Sequence, residues 1–239
     1  QIEPKFAVVA KLQDWQLCYD HPPMTYIAAA AAAGLRERKK RRTRETIAAA
    51  ALELFARQGY DATTIADVAE AAEVAPRTVS GYFPAKEDLL FPDQEETLAL
   101  FERLLAERGE DEMAPVALQA WVRALFEGWR GQEETLRARR CVVEANAGLQ
   151  VREAAFWGRF QELLTAAIAA DLGSAPDALE PRMAAASATA VLAVLRDDLD
   201  PAKEAAADLA EIEAEVLARL DQAVVFMSAG IRALRDGPR

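Results

Sequence analysis

Arg77, Thr78 and Ser80 follow directly on Pro76 in the run TTIADVAEAAEVAPRTVSGYFPAKEDLL, Thr63 to Leu90. A guanidinium can bond O6 and N7 of one guanine together, worth roughly 1–3 kcal/mol of discrimination between bases, and hydroxyls can donate to phosphate oxygens. The chemistry on offer is recognition of a nucleic acid, with no bond made or broken. Upstream, the segment Arg36 to Arg44 holds seven basic residues and one acidic, a net of +6 in a chain of net charge −11, which leaves −17 for the remainder. An acidic surface repels phosphates as a whole, but a segregated basic segment can still meet them. Taken alone, such a run reads equally well as a solvated tail.

These groups need helices to hold them. From Thr43 onward Ile47, Ala50, Ala51, Leu54 and Phe55 recur on one face, and Gly59 closes that helix. Thr64 with Asp67 three residues on forms a capping box for a second helix, whose apolar face is Ile65, Val68, Ala69 and Ala72. A turn at Glu73-Val74 leads to Pro76 as first residue of a third helix, kept short because Pro84 disfavours helical geometry at Phe83. Two short helices across a tight turn behind a basic arm suit a helix set in the DNA major groove.

Beyond Lys86 the periodicity predicts six further helices, divided at Pro92, Gly109, Pro115, Gly131, Gly148, Gly173-Ser174, Pro181 and Pro201, with no strand pattern. The fold class is therefore all-α: an N-terminal three-helix domain followed by a larger helical domain. A hydrophobic content of 52% with only 7% aromatic residues means that alanine and leucine supply most of the core. The expected division is an extension at 1–33, a basic arm and three-helix domain at 34–90, and a helical domain at 91–239. The extension carries His21, Pro22-Pro23 and the run Ala28 to Ala33, with Met24 a candidate natural start.

Catalysis finds little support. His21 is the sole histidine, so no Glu-x-x-His pair exists for a di-metal site, and no nucleophile has an evident base partner. Cys18 and Cys141 are too few and too far apart for a metal site or a disulfide framework, which points to a reducing cytoplasm and no metal or cofactor. No apolar run approaches the roughly 18–20 residues needed to span a bilayer.

The run GYDATTIADVAEAAEVAPRTVSGYFPAKEDLL, with TRETIAAAALELF before it, closely resembles the DNA-binding domain of the TetR family of transcriptional regulators. Gly59-Tyr60, Thr63-Thr64, Ala69, Ala72, Val74, Thr78, Tyr82-Phe83, Lys86-Glu87 and Leu89 fall at the family's spacing; the resemblance is close over Arg44 to Leu90 and loose beyond. Departures are Glu73 where the family usually has glycine, Ala75 in place of the usual serine cap, and Arg77 and Ser80 in place of a common glycine and tyrosine. They bear on the DNA sequence read more than on the fold.

The surface expected on DNA comprises the arm Arg36, Arg38, Lys39, Lys40, Arg41, Arg42 and Arg44, together with Thr63, Thr64, Ala75, Pro76, Arg77, Thr78, Ser80, Tyr82 and Lys86. Arg77 is the candidate base reader, with a phosphate contact as the alternative. Thr63, Thr64, Thr78, Ser80, Tyr82 and Lys86 are expected to position the backbone, although the Tyr82 ring could equally pack in the domain as Phe83 does. The arm should add salt-sensitive, largely sequence-independent affinity.

One helix-turn-helix reads few bases, so specificity usually needs two copies on a palindrome, and a homodimer is expected. The resemblance implies that the last two long helices pair across the two-fold axis, here Leu179 to Leu195 and Ala214 to Leu234, with an ordinary intrachain core as the alternative. It also implies a small-molecule effector pocket between about Pro115 and Asp171. Candidate lining residues are Trp121, Phe126, Trp129, Phe156, Trp157 and Phe160, with Arg123, Arg130, Arg140 and Asn146 as polar contacts. Aromatic stripes at this spacing also serve as plain core. The segment RARRCVVEANAGLQVREAAFWGRF is faintly similar to regulators of the mycofactocin type, which implies an acyl-CoA-like or otherwise lipophilic effector. The expected function is a homodimeric repressor released from its operator by a small molecule, with an effector-independent regulator or activator as the alternative.

Overall fold

The computed structural model describes residues 34–109, 111–198 and 209–236, and all regular structure among them is helical. The helices are α1 (Leu35–Gln58), α2 (Ile65–Ala71), α3 (Pro76–Tyr82), α4 (Gln94–Glu107), α5 (Ala114–Trp129), α6 (Glu133–Glu144), α7 (Ala147–Leu172), α8 (Leu179–Asp198) and α9 (Leu209–Asp236), with a 3-10 turn at Glu87–Leu90. The expected extension at 1–33, including His21 and Cys18, lies outside the described residues.

α1 starts eight residues earlier than the apolar pattern suggested, at Leu35 rather than Thr43, so the basic arm is its first turns. Arginine and lysine are strong helix formers that lose little rotamer freedom there. A helix already anchored through buried Ile47, Ala51, Leu52 and Phe55 extends without a second nucleation cost. Hydrophobic periodicity cannot register such a segment, because it buries nothing.

The described residues form two units of packing, one within 34–92 together with 131–150, the other within 93–130 together with 151–236. The first joins α1, α2, α3 and the 3-10 turn to α6 and the first turn of α7: Val142, Val143 and Leu149 are buried in the same core as Ile47, Phe55, Val68, Val79, Phe83 and Leu89. α6 therefore packs with the helix-turn-helix elements, whereas the sequence placed residues 91–239 in one domain. Period alone shows that a helix has an apolar face, not which core receives it.

Local signals set the boundaries inside this unit. The Thr64 hydroxyl accepts from the Asp67 backbone N–H at 3.2 Å, and the Thr64 N–H donates to Asp67 Oδ2 at 2.8 Å, closing the capping box. These hydrogen bonds hold the Asp67 carboxyl below its ordinary pKa. α3 opens at Ala75 with no side-chain cap and with Pro76 at its first position, and ends where Phe83 turns extended ahead of Pro84.

Between α2 and α3 the chain reverses through Glu73, whose φ of 54° is left-handed. A side chain there costs roughly 1–2 kcal/mol, partly offset in glycine's favourable comparison by glycine's larger unfolded-state entropy. Glu73→Gly is therefore expected to raise the unfolding free energy by about 0.5–1 kcal/mol in denaturant titration. A loss of stability would mean that the Glu73 side chain supplies a compensating contact.

In the second unit α5 packs between α4 and α9, and α8 packs on α9. Its centre is aromatic: Phe101 stacks on Phe160 at 4.5 Å between centroids, Trp121 stacks on Phe160 at 4.9 Å, and Trp157 meets Phe160 edge-on at 5.6 Å. The Trp121 indole N–H donates to the Thr97 carbonyl at 3.0 Å. Charged pairs tie α4 to α7 near both ends, Glu95 to Arg159 at 2.5 Å and Arg108 to Asp171 at 2.6 Å. The hydrogen bond from Arg159 holds the Glu95 carboxyl below its usual range. Asp171 also accepts from the Ala114 N–H at 2.7 Å, satisfying a first-turn donor of α5.

Pro115 and Pro181, expected as breaks, lie in the first turns of α5 and α8, where a missing N–H loses no helical bond. Gly148 likewise lies within the first turn of α7, and the break falls at Ala145-Asn146.

Candidate nucleic-acid interface

The surface of α3 divides by period. Val79 is fully buried against the core, whereas Pro76, Arg77, Ser80 and Gly81 are exposed and Thr78 and Tyr82 are half-buried. Arg77 and Ser80, three apart, therefore share the solvent face of the helix. Neither side chain makes a hydrogen bond or ion pair within the described residues. An exposed guanidinium and hydroxyl thus stand side by side on one short helix with their donors free. Gly81 adjoins them and leaves open space beside Ser80, with no atom within 4 Å of where a Cβ would stand. Gly81 is not among the residues that the sequence marks for DNA.

Three residues expected on DNA are committed to the fold. Thr63 is 1% exposed; its hydroxyl donates to the Gly59 carbonyl at 2.8 Å and accepts from the Gln58 amide at 3.2 Å. Lys86 Nζ donates to the Tyr60 carbonyl at 2.5 Å and lies 4.2 Å from the centre of the Tyr60 ring. Burial, with Glu87, Asp61 and Asp88 adding to it, pushes the Tyr60 hydroxyl up to about 12, so the ring stays neutral beneath the ammonium. Arg44 lies over Phe83 at 4.6 Å and donates to the carbonyls of Tyr82 and Pro92, each at 3.0 Å. In all three cases backbone carbonyls exposed by nearby turns recruit the side chain first. Thr64 is exposed but serves as the α2 cap, and the Tyr82 ring packs partly on the core.

The arm retains its charge. Arg36, Arg38, Lys39, Lys40 and Arg42 are exposed, while Arg41 pairs with Glu45 at 3.6 Å. Arg36, Lys39 and Lys40 fall on one side of α1, and Arg38 and Arg42 on another, so the charge wraps round the helix.

The ten residues expected around an effector are divided between the units. Arg140 and Asn146 belong to the first, where Arg140 Nε pairs with Glu144 at 2.7 Å and the Asn146 amide donates to Val142 at 2.6 Å. In the second, Trp121, Phe126, Phe156 and Phe160 are buried and Trp157 is half-buried in contact with its neighbours. Phe126 also meets Trp129 edge-on at 5.3 Å. Arg123 pairs with Asp221 at 3.4 Å and Arg130 with Glu213 at 2.9 Å, which ties α5 to α9.

A second exposed feature lies on α8 and α9. Leu179, Met183 and Val194 project from α8, and Val225 and Phe226 from α9, each more than half exposed. Between these helices an open groove of about 460 Å³ is lined by Ala190, Val191, Val194, Leu195 and Arg219. The sequence marked both segments without separating outward from inward residues. Cys141 is exposed on α6, and no described helix is long and apolar enough to cross a membrane.

Comparison with known proteins bears on both units. Residues 47–91 match the family model of bacterial regulatory proteins, tetR family. Over 56 residues the chain is 50% identical to the HTH-type transcriptional regulator TcmR of Streptomyces glaucescens, a match covering 23% of this chain and a quarter of that protein's length. Among solved structures, native NalD, the secondary repressor of the MexAB-OprM multidrug efflux pump in Pseudomonas aeruginosa, is 25% identical with a TM-score of 0.51, covering 76% of this chain and 96% of that one. A complex of SmeT with triclosan is 21% identical with a TM-score of 0.53, covering 76% and 90%, and is alike in fold. The helix-turn-helix segment at residues 47–91 is thus similar to the DNA-binding part of bacterial regulatory proteins of the tetR family.

Proposed function

We propose that the chain is a homodimeric transcriptional repressor that reads a palindromic operator through α3 and is released by a small molecule. The observation that carries DNA reading is the solvent face of α3, where Arg77 and Ser80 stand exposed and unpaired on a helix begun at Pro76 and anchored by buried Val79. The helical basic arm supports it, since five exposed cations at the start of α1 can neutralise phosphates. A cytoplasmic location follows from that reading.

Dimerisation is supported by the outward apolar residues of α8 and α9, an unusual cost for an isolated chain. Release by a ligand is supported by the aromatic content of α5 and α7, and a protein of similar fold is known in complex with triclosan. The apolar part of an acyl-CoA-like or other lipophilic compound is the chemistry that such aromatic side chains suit. The aromatic side chains are in mutual contact, so a ligand entering among Trp121, Phe156, Trp157 and Phe160 must part them. It can release DNA only by favouring one conformer, and a nearly complete switch needs roughly 5.5 kcal/mol of differential affinity. The same close packing favours a second reading, an effector-independent regulator or activator, which would bind its DNA unchanged in the presence of every candidate metabolite.

Arg77→Ala tests the role of α3. On the duplex that the wild-type chain enriches from random DNA, affinity should fall about 5- to 150-fold, equivalent to 1–3 kcal/mol, while affinity for random duplex is unchanged. Equal loss on both would assign Arg77 to phosphate.

A further inference from the structure

Arg44 is the one residue expected on DNA whose guanidinium is spent on two backbone groups at once. Its terminal nitrogen holds the carbonyl of Tyr82, the last residue of α3, and its Nε holds that of Pro92, the last residue of the first packing unit before α4 begins at Gln94. The same guanidinium lies 4.6 Å from the centre of the buried Phe83 ring, the C-cap of α3. Tyr82 and Pro92 are ten residues apart, and the carbonyl at a helix end lacks an intrahelical donor. A planar fork with several donors at fixed angles can hold these two acceptors in fixed relation, whereas a freely rotating ammonium imposes no such geometry.

We propose that Arg44 is a positioning residue that couples α3 to the segment leading into α4. It makes the pose of the reading helix follow any displacement of the Phe91–Asp93 segment. This rests on the reading of the chain as a DNA-binding regulator. It assigns Arg44 no contact with DNA, and separates it from the arm residues that precede it.

The test uses the full chain with Arg44→Lys and Arg44→Gln, neither of which carries the planar fork that fixes the two carbonyls relative to each other. Hydrogen exchange, read peptide by peptide, should speed up over Val79–Phe83 and over Phe91–Asp93 together, with α1 protection retained. On the duplex enriched by the wild-type chain, the ratio of specific to random affinity should fall about tenfold or more, a loss that leaves random binding intact. The coupling is overturned if exchange rises at one segment alone, or if both variants read the duplex as the wild type does. Parallel loss of specific and random binding would overturn it too, because Arg44 would then be a phosphate contact. Should both variants fail to fold, the wild-type Arg44 Nε–H resonance decides: slow exchange with water supports the bridge and fast exchange refutes it. If the wild-type chain enriches no duplex, the DNA reading fails, whereas paired exchange changes would still uphold the Arg44 linkage.

Discussion

Phe226→Glu is expected to convert the proposed dimer to monomer and to abolish high-affinity binding to the proposed palindromic site. Phe226 is 74% exposed on α9, beside Val225, whereas Val224, Met227 and Ile231 point inward and are buried. The substitution therefore spares the intrachain core and acts only on what covers the outer face. Aromatic anchors at interface centres cost about 2–4 kcal/mol on truncation, and two-fold symmetry enters each change twice. A charge buried against an apolar partner surface adds to this, so the dimer dissociation constant should rise on the order of a thousandfold or more. Sedimentation equilibrium measures it directly. A dimer of unchanged stability would place the interface elsewhere and leave the apolar face of α8 and α9 without its assigned partner.

Phe160→Ala should produce the largest loss of stability of any single change in the second unit. Phe160 is fully buried, and its ring contacts those of Phe101, Trp121 and Trp157. Truncation removes apolar burial and leaves a cavity that three rigid rings cannot close by small adjustment, at a cost of about 3–5 kcal/mol. Denaturant unfolding should show this as a lower midpoint with an unchanged slope. A cost below about 1 kcal/mol would mean that the rings close readily over the gap. The cluster would then be a collapsible pocket rather than a packed core, which would strengthen the effector reading.

What could be read from the chain depended on how local the determining contact is. The Thr64–Asp67 cap, the Pro76 start, the Pro84 stop and the left-handed turn at Glu73 each depend on neighbours within a few residues, and each stands as expected. Thr63, Lys86 and Arg44 were assigned to DNA because their residue types suit phosphate. Their actual acceptors are carbonyls of Gly59, Tyr60, Tyr82 and Pro92, which turns expose and the fold brings within reach. No spacing rule shows where an unpaired carbonyl will lie. Arg77 and Ser80 lack such neighbours, and their exposure is what their positions on α3 implied.

The arm and α6 illustrate two further limits. Helicity of Leu35–Arg42 comes from propensity and attachment to an anchored helix, and neither leaves an apolar period to find. α6 shows a clear amphipathic pattern, yet which core Val142 and Val143 enter is decided by tertiary packing. The same ambiguity covers the segment Ala214 to Leu234, where periodicity does not separate exposed Val225 and Phe226 from buried Val224 and Met227.

Selection on random duplex DNA, sequenced after capture by the full-length chain, tests the central claim most directly. The account predicts enrichment of an inverted repeat with half-site centres about one helical turn, 10–10.5 base pairs, apart or a multiple of it. The enriched set should hold a guanine in each half-site whose preference disappears with Arg77→Ala. Capture that depends on duplex length and salt but enriches no sequence would contradict it, leaving the basic arm as a general phosphate contact and α3 without a reading role.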